Sequence, residues 1–124
     1  MGNWVLNKRS VGAAMEDKAA AYLTSQGYRI LDRNFRCKIG EIDIIGEEDN
    51  NLCFVEVKYR KDRYFQGSAE AAVNIHKQCK ICKTSDYYRM VRHISPDRNI
   101  RFDVVAIYGE DVYLYRNAFP YIAM

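Results

Sequence analysis

Asp43 and the tripeptide Glu56-Val57-Lys58, with a dozen residues between them, are the side chains of this sequence whose types and spacing could do chemistry; Glu41 stands two positions before Asp43. Two carboxylates one strand apart make an oxygen-rich site of the kind Mg²⁺ favours, completed by water and substrate phosphate. A lysine beside such a site can orient or deprotonate an attacking water, because its pKa falls when it is desolvated near cationic charge. The chemistry that this combination describes is hydrolysis of a phosphodiester assisted by Mg²⁺ or Mn²⁺. The bland rival is a cross-strand salt-bridge ladder on a solvated sheet face. Against that rival, Glu56 and Lys58 interrupt Leu52-Cys53-Phe54-Val55-Val57, the most apolar run in the chain. Charges buried in such a run need partners or a cation.

The elements that must position these residues are legible as hydrophobic patterns. Ile42-Asp43-Ile44-Ile45 and Leu52 to Val57 are β-rich, and Gly46 to Asn51 between them is turn chemistry, so 40–58 reads as a hairpin. With the turn centred on Asp49-Asn50, Asp43 lies opposite Glu56 and Glu41 opposite Lys58, all on one face. The other face then carries Ile42, Ile44, Val55 and Val57. Residues 10–26 read as a first helix, with Ser10 as N-cap, Met15, Ala19, Tyr22 and Leu23 as its apolar stripe, and Gly27 as the residue that ends it. Glu16 sits at the edge of that stripe, where a carboxylate can project into a site. Residues 28–36 read as a strand with Tyr28, Ile30 and Phe35 inward, and 61–72 as polar and irregular. Asn74 caps a second helix over 75–93 that Pro96 stops, with Ile75, Cys79 and Cys82 sharing one side and Ile81, Tyr88 and Val91 another. Residues 101–108 and 112–116, joined by Gly109 to Asp111, form a second hairpin. Helices flanking a small mixed sheet give an α/β or α+β fold in a single domain, 1–124.

Composition agrees with that reading. The chain has 124 residues, 48% of them hydrophobic and 28% charged, which is ordinary globular usage and enough for one core without disulfides. No window approaches the roughly 18 apolar residues of a membrane span, and the first ten residues lack the apolar stretch of a secretory signal. The expectation is a soluble, cytoplasmic protein with no membrane partner. Net charge is only +3. Its distribution is more telling, because basic side chains crowd 29–38, 58–63 and 77–101 while acids concentrate at 41–56. A basic rim around an acidic centre suits a polyanion held over a cation site.

The residues quoted so far, in this order, resemble the core of the PD-(D/E)xK nuclease superfamily, whose αβββαβ core is shared by restriction endonucleases and Holliday-junction resolvases. More narrowly, Gly40-Glu-Ile-Asp-Ile-Ile, Phe54-Val-Glu-Val-Lys-Tyr-Arg60, Lys77-Gln78 and Arg101-Phe-Asp-Val-Val-Ala-Ile107 resemble the bacterial YraN-like family over residues 10–108. The resemblance implies a restriction-endonuclease-like fold and a metal-dependent endonuclease. It implies that Asp43 and Glu56 ligate Mg²⁺ or Mn²⁺, that Lys58 serves the water, and that Glu16 is the helix-borne acid of the metal shell. Glu41 would be an extra ligand or would orient one, and Lys77 and Gln78 would contact phosphate. Ile42 stands where the superfamily often has Pro, a frequent variation. The expected partner is nucleic acid, DNA in the first place and branched or structured DNA by analogy. Arg60, Lys61, Arg63, Lys77, Gln78 and Lys80 are the residues expected to grip its phosphates. Cutting two strands with one site per chain calls for a symmetric homodimer.

Two other function classes fit parts of the sequence. One is a catalytically inactive nucleic-acid-binding or interaction module on the same fold. The other is a redox or zinc module built on Cys79 and Cys82. Zinc knuckles usually pair two such motifs on tight turns, whereas here the pair falls in a helix and Cys37 and Cys53 are singletons on strands. Cys53 reads as core packing, and reduced thiols suit an intracellular chain. His76 and His93 lie near helix ends and require no chemistry. Of ten tyrosines, Tyr59, Tyr64, Tyr87 and Tyr88 are placed to stack on unpaired bases, although most are expected to be half-buried structural aromatics.

Overall fold

The computed structural model describes residues 4–60 and 73–123, with side chains from residue 11 onward. Its elements, in chain order, are α1 (Trp4–Ser25), β1 (Arg29–Arg36), β2 (Glu41–Glu48), β3 (Asn51–Arg60), α2 (Ile75–Val91), β4 (Ile100–Tyr108) and β5 (Asp111–Phe119). The α+β class expected from the sequence is the one observed. A single five-stranded sheet has the order β1-β2-β3-β4-β5. Its strands pair antiparallel except at the centre, where β3 and β4 run parallel and α2 lies in the connection between them. A parallel pair needs such a crossover, whereas antiparallel neighbours close with tight turns.

Alternation along the strands builds two cores. Phe54, Phe102, Val104 and Ile45 meet Ile81, Cys82 and Tyr88 of α2, whereas Cys53, Val55, Val105, Ile107 and Ile44 meet Ala19 and Leu23 of α1. The helices therefore cover opposite faces of the sheet. On the α2 side, Phe54, Phe102 and Phe119 stack in series with centroids 5.6 and 5.3 Å apart, and Tyr88 meets Phe54 edge-on. Such pairs add about 0.5–1.5 kcal/mol each beyond their buried area.

Helix ends obey local chemistry. Gly27, at φ 98°, takes the left-handed position after α1, and the N–H groups of Gly27 and Tyr28 return to the carbonyls of Thr24 and Leu23. His93 does the same after α2 at φ 54°, with its N–H bonded to Met90 and that of Ile94 to Arg89. The helix thus stops at Val91 by its own C-terminal motif, two residues short of the end expected at 93 and five before Pro96. Asn74 caps α2 as expected, its Oδ1 accepting the Lys77 N–H at 2.9 Å. Ser10 is not a cap, since α1 starts at Trp4 and runs through it.

Three further expectations are corrected. Ile42 and Ile44 do not share a face, since Ile42 packs with Phe54 and α2 while Ile44 packs with Val55 and α1. The buried side of α2 is Gln78, Ile81, Cys82, Thr84, Ser85 and Tyr88, and Ile75 is exposed. β5 extends to Phe119, three residues beyond Arg116, because Ala118 and Phe119 are buried. No described helix is long and apolar enough to cross a membrane.

Candidate active site

The β2–β3 hairpin turns at Asp49 and Asn50, both left-handed at φ 52° and 65°, the conformation that a two-residue turn of this hand demands. Its strands pair from Glu48↔Asn51 to Ile44↔Val55. Past that point the Asp43 side chain stands in for the ladder, with Oδ2 accepting the Val57 N–H at 2.8 Å. The register that makes Asp43 and Glu56 neighbours is therefore the one expected, and the two carboxyls come within hydrogen-bonding reach of each other where the pairing ends.

Glu56 is only 5% exposed, on the α2 side of β3. Lys77, in the first turn of α2, reaches its Oε2 at 3.2 Å, and Lys58 Nζ stands 4.0 Å from the same atom. Burial raises the Asp43 carboxyl well above its ordinary range, the hydrogen bond to Glu56 and the Glu56 charge push the same way, and the Val57 N–H and Lys77 only partly oppose them. The proton is therefore held more tightly on Asp43 than on a free carboxyl. For Lys77, burial disfavours the ammonium, but the Glu56, Asp43 and Glu41 carboxylates outweigh it and its pKa is raised. Lys77 thus remains the fixed counter-charge of the pair.

Glu16 flanks this cluster from α1. Burial raises its carboxyl and the Asp43 charge adds to that, while a hydrogen bond with Asn34 and the guanidinium of Arg33 oppose the rise. Arg33 is 3.9 Å from Glu16 and 2.8 Å from Asp17. Asn34 occupies the left-handed region inside β1, at φ 55°. Ile30 packs on the α1 side and Phe35 on the α2 side, and the pairing of β1 with β2 shifts register between Ile30 and Asp32. A cleft of about 600 Å³ opens here, lined by Gly12, Ala13, Glu16, Asn34 and Arg36.

Asp43, Glu56, Lys58 and Lys77 are thus brought together, with Glu16 close enough to feel the Asp43 charge. Glu41 is exposed and bound to Arg36 Nε at 3.0 Å, with its charge still felt by Lys77 and Glu16, and the β2–β3 pairing ends before it would face Lys58. Gln78 is buried and donates to the Val73 carbonyl at 2.7 Å, which fixes the start of α2 instead of offering the amide to phosphate. Arg60 ends β3 at the surface, and Lys80 is exposed one turn beyond Lys77. Lys61, Arg63 and Tyr64 lie outside the described residues. Cys82 is buried and accepts the Ile122 N–H at 3.4 Å, Cys53 is buried, and the four cysteines are free. Sequence reasoning missed Asn34 and the Arg36–Glu41 pair. The signal for Asn34 was available, since asparagine is the residue that most readily enters the left-handed region after glycine.

Among the described residues, no three His, Cys, Asp or Glu side chains converge into a metal shell made wholly of protein. The arrangement does fit a hard divalent cation held by two carboxylates, since Mg²⁺ ordinarily keeps several waters and leaves room for substrate phosphate. A cation between the two carboxyls would offset the burial and the Glu56 charge that raise the Asp43 pKa.

Fold and cluster together define an α+β protein with a five-stranded mixed sheet, whose polar centre is a carboxylate pair, Glu56 buried and Asp43 half-buried, flanked by lysines. Residues 15–107, which contain all of that centre, match the model of the family described as Uncharacterised protein family UPF0102. The chain belongs to that family, the YraN-like one that its motifs resemble. It is 46% identical over 114 residues to a UPF0102 protein of Lachnoclostridium phytofermentans, covering 92% of this chain and 96% of the relative. It is 41% identical over 120 residues to one of Caldicellulosiruptor saccharolyticus, covering 92% and 100%. With one of Persephonella marina the identity is 38% over 119 residues, covering 96% and 97%.

Proposed function

We propose that this protein is a metal-dependent endonuclease of the PD-(D/E)xK superfamily that hydrolyses DNA phosphodiesters, with branched or structured DNA as the substrate class. The observation that carries the reading is the Asp43–Glu56 pair, half-buried and buried, with Lys58 and Lys77 at the end of the β2–β3 ladder. The order of elements, helix, three strands, helix, strand, supports the superfamily assignment. Asp43 and Glu56 are the residues that would hold Mg²⁺ or Mn²⁺, with Glu16 beside them. Such an ion supplies a water of lowered pKa and neutralises charge that develops on phosphate. Lys58 Nζ orients the attacking water and takes part in its deprotonation. Lys77 holds Glu56 in place and offers its remaining N–H groups to a phosphate oxygen. Lys80, Arg60, Lys61 and Arg63 grip neighbouring phosphates, which makes affinity fall steeply with salt. Cleavage of both strands of a junction requires two copies in a symmetric pair.

The test is cleavage of labelled four-way-junction, flap, single-stranded and linear duplex DNA with Mg²⁺ or Mn²⁺. Wild-type protein should cut at least one of them and stop when chelator is added. Lys58→Ala should lose about 10²–10⁴-fold in rate, and Asp43→Ala should lose activity at least as severely. Binding without cutting on every substrate, unchanged by both substitutions, would replace the nuclease reading with that of an inactive binding module.

A further inference from the structure

The 37–40 turn between β1 and β2 lies against the flank of α2. Gly40 makes this approach possible, since a Cβ there would stand 3.2 Å from Thr84 Oγ1 and 4.0 Å from Lys80 Cβ. Between turn and helix lies a cleft of about 330 Å³, lined by Arg36, Cys37, Lys38, Ile39 and Tyr87. Its two large apolar walls are open to solvent, Ile39 and Tyr87 each being 39% exposed, and Met90 beyond them is 63% exposed. Phe35 backs the Tyr87 ring at 6.2 Å, and Tyr88 meets Phe35 edge-on at 5.0 Å, so the exposed ring rests on a packed aromatic base.

The rim is basic. Lys38, Lys80 and Lys83 are exposed and form no ion pair among the described residues, and Lys83 lines the adjoining cleft with Ile39 and Tyr87. Asp86, the acid of this rim, is engaged by Tyr121 at 2.7 Å and Arg89 at 3.8 Å. Arg36 is a wall both of this cleft and of the one beside Glu16, so the two adjoin across its side chain. Ten residues separate Lys77 from Tyr87, which is about 15 Å along a helix, or roughly four nucleotides at the 3.4 Å rise of a stacked strand.

We propose that the Tyr87–Ile39 cleft is a subsite that takes one unpaired nucleobase of a nucleic-acid strand whose phosphates run along Lys80, Lys83 and Lys38 toward the Asp43–Glu56 pair. The subsite deepens the nuclease reading and rests on it for the direction of the strand. An exposed tyrosine on a rigid aromatic base is a stacking platform that tolerates any base, and lysines at its rim supply the backbone contacts that such binding requires. A paired base cannot enter, because its face is already stacked and its edge is occupied. A second copy of this chain is a poor occupant, since a self-complementary contact would set the Lys38 and Lys83 rim against itself.

The experiment is fluorescence anisotropy with a labelled single strand and a blunt duplex of equal length, in chelator so that nothing is cut. The proteins are wild type, Tyr87→Ala, Tyr87→Phe and Ile39→Ser. Tyr87→Ala should weaken single-strand binding about tenfold or more, Tyr87→Phe should stay within about twofold of wild type, and duplex binding should hardly change. A strand carrying 2-aminopurine should be quenched by wild type and less by Tyr87→Ala. If Tyr87→Ala fails to fold, Ile39→Ser at the opposite wall carries the same expectation. Equal weakening on both substrates, no weakening on either, or a wild-type dimer that Tyr87→Ala dissociates would overturn the subsite. Tyr87-dependent strand binding without cleavage of any substrate would leave the subsite standing and overturn the nuclease. Metal-dependent cleavage with Tyr87-independent binding would do the reverse.

Discussion

At Asp43 a carboxyl is half-buried beside another carboxyl, and its proton is held more tightly in the folded chain than in the unfolded one. The folded pKa lies above the unfolded value, so the favourable contribution of this group is fully present in acid and is lost as pH rises through the folded pKa. Replacing Asp43 by Asn removes the charge and keeps an oxygen able to accept the Val57 N–H. Metal-free Asp43→Asn should therefore be more stable than wild type by about 1 kcal/mol near neutral pH, a rise of several degrees in melting temperature. The gap should close as pH is lowered toward 4, and thermal melts in chelator at a series of pH values check both points. Asp43, Glu56 and Lys58 were legible from residue type and spacing, because a strand alternates and a two-residue turn fixes what lies opposite. The partner of Glu41 was not legible. Its pairing with Arg36 arises from how the 37–40 turn folds back, and no period in the sequence encodes that.

Gly46 shows how closely the strands depend on single residues. It faces Ile30 next to the irregularity between Ile30 and Asp32, and a Cβ there would lie 2.9 Å from the Arg29 carbonyl oxygen. The obstacle is backbone and cannot swing aside. Gly46→Ala should cost about 1–3 kcal/mol, read as a shift in urea midpoint with unchanged slope. The hairpin of β2 and β3 and the centre of its turn were readable because Asp49-Asn50 is turn chemistry between apolar runs. The start of α1 was not, since Ser10 is a good cap by type but neither Pro nor Gly separates it from Trp4, so the helix continues through it. The shared-face assignment of Ile42 and Ile44 failed for a related reason. Strict alternation assumes a regular strand, and Asn34 in β1, beside that part of β2, is left-handed.

Across the whole molecule, the end of the sheet away from the carboxylate pair is tied by charged side chains as well as by packing. Glu48 on β2 accepts from Arg101 of β4 at 2.7 Å and Arg116 of β5 at 3.2 Å. Glu47 binds Arg98 at 2.6 Å and also Arg29 of β1. Asp103, fully buried, accepts from Arg101, from the Tyr28 hydroxyl at 2.6 Å and from the Asn117 N–H at 2.8 Å. The hydrogen bond from Arg101 lowers the Glu48 pKa against a burial effect that would raise it, and Arg116 adds to the lowering. Its contribution is therefore present above the unfolded value near 4.5 and lost as pH falls through the folded one. Glu48→Gln should cost about 1 kcal/mol at pH 7, a figure kept small by solvent at the rim, and nothing in strong acid. Denaturant titrations at both pH values test the difference. Both edges of the sheet carry a left-handed asparagine, Asn34 in β1 and Asn117 in β5, and a broken ladder of this kind discourages pairing with another chain.

Chain order and sheet order coincide, and this concentrates the entropic cost of assembly in one event. Three strand pairings close across short turns at 37–40, 49–50 and 109–110, while the fourth brings β4 back to β3 over the span from residue 61 to 99. Loop closure grows dearer with length, and distant contacts form late. The meander that holds Asp43 and Glu56 in register can be complete before the crossover delivers Lys77. The two acids are placed by local folding, and the lysine that balances them arrives with the step that closes the molecule.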